Sequence, residues 1–340
     1  MYAHLDLEAC AEHDGEVARR AWPALAVIVA AAALVAWLRP DLTDLHVYRA
    51  GGRALLDGLS PYSADDPVTG LPFTYPPFAA AMMIPLAVLP AQAAAAVWTA
   101  VSVTALVAVV VVALREVGLD VRGWVVAGLV AGALALEPVW QNLSFGQVNL
   151  VLMAAVVVDL TRPERRFSGV LVGLAAGIKL TPLVFVVLLL LVGRRDAAGR
   201  AALTFLVTVA AGIAVMPGAA ASYWTSGLLD ADRVGPPWLA HNQSAYGVLT
   251  RLLDASPPAL LWVGTTLPVV GAALLVAATW WRRGDRLLGT GLAGLAMLLA
   301  SPVSWSHHWV WAVPLALALW PHGRWLAVAW TAVFVARPVL

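Results

Sequence analysis

Cysteine is nearly missing. Cys10 is the only one in 340 residues, so no disulfide can form within one chain and the redox compartment is not written in thiols. Charge is scarce too. Asp, Glu, Lys and Arg make up 12% of the chain, against about a quarter in a soluble domain. The formal net charge of +1 leaves no basic surface to recognise nucleic acid. There is no sequence repeat and no inverted pair of halves. Histidines at i, i+4 and clustered cysteines are also lacking. A metal held by His307, His308 and Asp44 therefore has little to support it, and no metal or other cofactor is expected.

What is there is apolar. Hydrophobic residues form 61% of the chain, mean hydropathy is +0.82, and several runs are long enough to cross the ~30 Å hydrocarbon core as helices. The fold class expected is an all-α polytopic membrane protein. Residues 1–20 read as a disordered cytoplasmic tail. Ala21–Leu38 follows Arg19 and Arg20 and has no small-x-small cleavage site, so it reads as a retained first span. "TRPERR", "GRRDAAGR", "WWRRGDR" and "PHGR" mark inside loops by their positive charge. Residues 39–90, 137–149, 217–258 and 301–308 then fall outside. Counted this way there are nine crossings, plus one segment that fits no simple crossing. Residues 168–193 have arginines beyond both ends and "KLTP" in the middle, and each half is too short to span alone. The segment reads as a re-entrant broken hairpin tipped by Lys179 and Pro182, with a kinked continuous helix as the alternative.

Polar groups gather at the outer ends of the apolar runs. Residues 39–90 read as a long first outer loop with short interfacial helices, one running through "VYRAGGRALL" to a stop at Gly58 and Pro61. "DLTDLHVYR" supplies Asp44, Tyr48 and Arg49, and "YPP" supplies Tyr75. "FGQVN" supplies Gln147 and Asn149, "KLTP" supplies Lys179, and "HNQSAYGVLTR" supplies Asn242, Gln243 and Arg251. "SPVSWSHHWVW" supplies His307 and His308. Ionisable groups beside hydrocarbon are costly and read as functional by default. Against that, Asp41 reads as a helix cap, and Tyr48, Tyr75, Trp305, Trp309 and Trp311 suit an interfacial aromatic belt. Adjacent histidines point ~100° apart on a helix, so one is expected to face a site and the other to pack. Lys179, Arg49 and Arg251 are the cations available to an anionic phosphate. Tyr48, Tyr75, Gln147, Asn149, Asn242 and Gln243 are candidates for sugar or acceptor contacts.

Taken in order, "TDLHVYRAGGRALLDGLSPY", "LPFTYPPFAA", "LSFGQVNLVL", "AGIKLTP" and "SPVSWSHHWVW" resemble the actinobacterial polyprenol-phosphate-mannose-dependent α-1,2-mannosyltransferases. These form glycosyltransferase family 87 of the GT-C superfamily. The resemblance covers roughly Arg39 to Pro314. It implies a GT-C helical bundle, residues 21–340 forming a single transmembrane domain whose first outer loop carries the catalytic carboxylate. By motif that carboxylate is Asp44, and the histidine pair matches the family's outer-face histidines. Also implied are a polyprenyl-phosphate mannose donor and a lipid-linked glycan acceptor of phosphatidylinositol mannoside or lipomannan type. The setting would be the extracytoplasmic face of the plasma membrane, with membrane lipids as further partners, in lipoglycan biosynthesis. A β-linked donor giving an α-linked product implies a single inverting displacement. Family members usually continue through further membrane helices, whereas this chain stops at Leu340, which keeps an inactive GT-C-like scaffold among the readings. The other competing class is a transporter or flippase of a lipid-linked or small substrate. It wants charge near the bilayer midplane and two related halves, and Lys179 is the residue that favours it.

Overall fold

A computed structural model describes residues 42–161, 166–227 and 234–335, with isolated positions between 23 and 30. The expected tail, Asp41 and most of the first span, Ala21–Leu38, lie outside the described residues. What is described is helical, and the only β pairing is an isolated bridge between Asn242 and Trp305.

Residues 42–90 fold as short pieces. Helix α1 spans Thr43–Leu56 and buries Leu45, Val47, Tyr48, Gly51 and Gly52 on one side. It stops two residues before Gly58, at φ 71°, a conformation that suits glycine. Helices α2 (Pro77–Met82) and α3 (Ile84–Ala87) follow. Arg49 ties α1 to them, donating to the carbonyls of Leu86 at 3.0 Å and Leu89 at 2.8 Å. Those carbonyls lie at and beyond a helix end, where intrahelical partners run out.

Helix α4 (Ala91–Glu116) is the first long one, and its 26 residues extend about 39 Å. Helices α5 (Gly123–Leu134) and α6 (Glu137–Phe145) meet at 80°. Leu136 is extended there and Pro138 lies in the first turn of α6, so no continuous helix is possible. Helix α7 (Asn149–Leu160) carries Asp159 in its last turn, and that carboxylate accepts from the backbone N–H groups of Gly169 (2.8 Å) and Val172 (3.0 Å). It caps the start of helix α8, Val170–Ile178.

Small residues decide how the next helices pack. Gly169, Gly173 and Gly177 recur every fourth residue and sit against Ala197, Ala201 with Thr204, and Thr208. These neighbours belong to helix α10, Arg195–Val215. Small stripes let helix backbones approach closely where lipid offers no hydrophobic drive. A Cβ at Gly173 would lie 2.4 Å from the Ala201 carbonyl oxygen, and backbone cannot step aside as a flexible side chain can. Gly173→Leu is therefore expected to cost at least the 1–3 kcal/mol typical of overpacking, read as an earlier thermal unfolding midpoint in detergent. An unchanged midpoint would mean that α8 and α10 do not meet as described.

The order of these contacts also sets direction. Residue numbers rise together along both helices, so α8 and α10 run parallel. Helix α9 (Val184–Leu191) lies between them in the chain and ends only a short turn before α10. The chain therefore doubles back around Lys179, which is extended at φ −146° and ψ 129° and is followed by a 3-10 turn at Thr181–Leu183.

Helix α11 (Pro217–Ser222) and helix α12 (Ala245–Leu253) come next in the chain. Helices α13 (Ala259–Arg282) and α14 (Arg286–Ala300) form a hairpin. After it the chain runs through residues 301–305 into a 3-10 helix, Ser306–Trp311, and then helices α15 (Ala312–Leu319) and α16 (Arg324–Val335).

The nine crossings expected are not what the described residues show. Three helices, α4, α10 and α13, are long and apolar enough to cross a membrane, and the bent α5–α6 pair makes up to four. Elsewhere the apolar runs are divided into helices of 8–15 residues, because prolines and inserted polar residues break them.

Candidate active site

Four breaks in helical structure converge at one end of the bundle: the start of α1, the α6–α7 turn, the α8–α9 reversal, and residues 301–308. Asp44 occupies the first turn of α1. The preceding Leu42 holds φ 44° and donates its N–H to the Ser144 carbonyl at 3.1 Å. This left-handed conformation is costly for a non-glycine residue and persists only where neighbours impose it. Across the contact, Gly146 has φ 70°, and a Cβ there would lie 2.7 Å from the Leu45 Cβ. Only glycine lets α1 come this near. The approach carries Gln147 to Asp44.

Gln147 is fully engaged. Its Oε1 accepts from Tyr48 Oη (3.1 Å), Tyr75 Oη (3.3 Å) and Asn149 Nδ2 (3.3 Å). With the oxygen occupied, the amide NH₂ is left to donate to the Asp44 carboxylate. Burial pushes the Asp44 carboxyl up to about 6, while the Gln147 hydrogen bond and the Lys179 charge act against that rise. Tyr48 is wholly buried, and its hydroxyl lies 2.8 Å from that of Tyr75 and accepts from the Val148 N–H at 3.3 Å.

Lys179 reaches the same place from the α8–α9 reversal. Its Nζ donates to Asn149 Oδ1 at 3.0 Å, lies 3.1 Å from His308 Nε2, and stands 5.9 Å from the Tyr75 ring centroid. An ammonium only donates, so His308 accepts as a neutral imidazole with its proton on Nδ1. His307 turns the other way. Its ring is edge-on to Phe145 at 5.3 Å and its Nε2 is buried without a partner. Its carbonyl is held by Asn142 Nδ2 at 3.5 Å and Asn149 Nδ2 at 3.4 Å.

Asp44, Tyr75, Gln147, Lys179 and His308 line one cavity of about 650 Å³, within the range of small-molecule sites. Tyr223, Tyr246, Trp262 and Trp305 supply aromatic walls. Tyr223 and Trp262 were missed in the sequence. Their signal was an aromatic near each end of residues 217–258, which looks like any interfacial anchor.

Other sequence candidates are placed elsewhere. Tyr48, Asn149 and His307 stand behind the cavity wall. Arg49 is committed to the α3 carbonyls. Arg251 donates to the carbonyls of Leu239 (3.0 Å) and Asn242 (2.9 Å). Gln243 donates to the Ala240 carbonyl at 2.5 Å. Asn242 is wholly buried: its Nδ2 donates to the carbonyls of Pro237 (3.0 Å) and Pro302 (3.2 Å), and its Oδ1 accepts from the N–H groups of Ser244 (3.2 Å) and Ser304 (2.9 Å). It pins residues 301–305 and has no group left over for a sugar. The reason is common to all four: each satisfies backbone carbonyls or amides in loops that otherwise lack partners. Trp311 is likewise no interfacial anchor, being buried 5.3 Å from the Phe185 ring and against Gly294.

Comparison with known proteins adds independent weight. The protein named polyprenol-phosphate-mannose-dependent alpha-(1-2)-phosphatidylinositol pentamannoside mannosyltransferase of Mycolicibacterium smegmatis is 38% identical over 309 residues, covering 86% of this chain and 74% of that protein. Its namesake from Mycobacterium tuberculosis is 37% identical over 312 residues, covering 87% and 71%. A polyprenol-phosphate-mannose-dependent alpha-(1-2)-phosphatidylinositol mannoside mannosyltransferase of M. tuberculosis is 36% identical over 342 residues, covering 91% and 78%. No solved structure matches the chain. Residues 73–302 match the profile of glycosyltransferase family 87, a stretch that contains Tyr75, Gln147 and Lys179, and on that extent of similarity the chain belongs to glycosyltransferase family 87.

Proposed function

We propose that this membrane glycosyltransferase moves mannose from a polyprenyl-phosphate donor onto a phosphatidylinositol-mannoside-type acceptor at the outer face of the plasma membrane, with Asp44 as general base. The observation that carries this reading is the shared cavity: a carboxylate, a lysine and an imidazole from three distant segments line one wall. The acceptor hydroxyl oxygen attacks the mannosyl anomeric carbon as the carbon–oxygen bond to phosphate breaks. The bonding pair leaves with the phosphate, and the hydroxyl proton passes to Asp44. A base placed for such a transfer contributes typically 10²–10⁴-fold. Lys179 stands opposite the charge that grows on the phosphate, and the aromatic walls offer faces for the sugar ring and the first units of the lipid.

The sidedness is argued from charge. Arg194, Arg195, Arg282 and Arg286 lie at the ends of helices remote from Lys179, which the positive-inside rule puts in the cytoplasm. In this reading the α8–α9 reversal is a re-entrant hairpin whose tip lines a cavity, where irregular backbone is tolerated at membrane depth.

The test is transfer of labelled mannose from polyprenyl phosphomannose to a phosphatidylinositol mannoside by purified protein. No transfer, with the protein folded and both lipids present, would overturn the reading. The histidines make it sharper. His308→Ala is expected to lower kcat/KM by about 10²-fold, as loss of one preorganised polar group does. His307→Ala should cost roughly tenfold or less, since its ring packs against Phe145 and its backbone carbonyl survives the change. Equal mild losses would return the pair to a purely structural role.

A further inference from the structure

The helix that carries Asp44 has a second polar face. Residues two apart point about 200° around a helix from each other, so His46 faces away from Asp44. His46, Arg49, Arg53 and Asp57 recur at i, i+3, i+7 and i+11, and all four line another cavity of about 580 Å³. Asp65, on the loop that follows α1, and Phe73 also line it. Phe73 is buried close against α1 because Gly51 has no Cβ, which would come within 2.5 Å of the ring.

This groove is built rather than incidental. Asp66 fixes its outer loop, accepting from the N–H groups of Val68 (3.2 Å) and Thr69 (2.8 Å) and from the Thr69 hydroxyl (2.8 Å). Arg49 is clamped to α3 on the inner side. The two cavities are neighbours, because Val47 and Leu71 line both. A ligand longer than the active-site cavity has one short step over these two apolar side chains into the groove.

The lining chemistry indicates what that ligand is. Arginines are balanced by Asp57, Asp65 and Asp66, which disfavours a phosphate. Donors and acceptors stand side by side along the groove, as a polyhydroxyl ligand requires, since each hydroxyl both donates and accepts. We propose that this groove binds the acceptor's oligosaccharide beyond the sugar that reacts. The idea rests on the mannosyl-transfer reading, and the groove sets preference for long over short acceptors.

The test uses purified full-length protein and a short free mannan oligosaccharide as probe. Wild type and Asp44→Asn should bind it alike, because Asp44 lies in the other cavity. Arg53→Ala with Asp65→Asn should abolish binding. Arg53 is mostly exposed, and its ion pair with Asp57 at 3.2 Å is of a kind that adds little stability, so the thermal midpoint should hold. In turnover, the double variant's KM for a lipid-linked oligomannoside should rise roughly tenfold, the effect of losing about 1.4 kcal/mol of binding. The preference over a single-mannose alkyl glycoside should disappear. Failure of wild type to bind the oligosaccharide, or equal binding by the double variant, overturns the groove. Binding without any mannose transfer by wild type would instead overturn the reading of the reaction and leave the groove standing.

Discussion

Mannosyl transfer by an Asp44→Asn protein is expected to fall by about 10²–10⁴-fold, the contribution of a placed general base, while the protein stays folded. Asparagine keeps an oxygen for the Gln147 amide and removes a negative charge from a partly buried position. The sign of the stability change follows from the raised pKa of about 6. A folded state that holds its proton more tightly than the unfolded chain loses stability as pH rises from the ordinary value of 3.8 towards 6. Above that window wild type carries the full penalty of a buried carboxylate and Asn does not. The variant should therefore unfold no earlier than wild type at neutral pH. Wild-type kcat/KM should also drop below about pH 6, where the carboxylate binds its proton. Undiminished transfer by the variant would remove Asp44 from the reaction. Lost transfer with an earlier unfolding midpoint would make its role structural.

The second large effect is expected at Lys179. Lys179→Met keeps the length of the side chain and removes the only Lys or Arg among the described residues that line the active-site cavity. Loss of a single preorganised group facing developing charge costs about 10²–10³-fold in kcat. A phosphate that bears charge in donor and product alike also loses affinity, so KM for polyprenyl phosphomannose should rise, and inhibition by added polyprenyl phosphate should weaken. The acceptor's KM should change far less, because its reacting hydroxyl sits on the Asp44 side. A variant with reduced kcat but unaltered donor KM and product inhibition would move Lys179 away from the phosphate. Its remaining role would then be to hold Asn149 and His308.

These two residues were visible in the sequence for opposite reasons. Asp44 stands in a motif, "TDLHVYR", and Lys179 stands alone, a charge stranded between two apolar halves that are each too short to span. Both signals are local. The amides could not be sorted in the same way. Gln147, Asn149, Asn242 and Gln243 share chemistry and a place near the ends of apolar runs, yet Gln147 lines the cavity and Asn242 is consumed by four loop groups. Nor could the cations: Arg49 and Arg251 also stand beside apolar runs, but backbone carbonyls claim their guanidinium groups. The tryptophans of "SWSHHWVW" divide as well, with Trp305 on the cavity and Trp311 in the core beside Phe185.

The sequence by itself determined the solvent, the family and the chemistry available. Apolar run length, positive charge between runs and an ordered set of motifs depend on nearby residues, and short-range rules read them. Tertiary structure alone decided which polar groups meet. Tyr48 finds Gln147 across 99 residues and Lys179 finds His308 across 129, through close approaches at Gly146, Gly173 and Gly177 that no local periodicity encodes. Where long-range partners compete for the same donors, burial and backbone need settle the outcome, and those become definite only once the helices are packed.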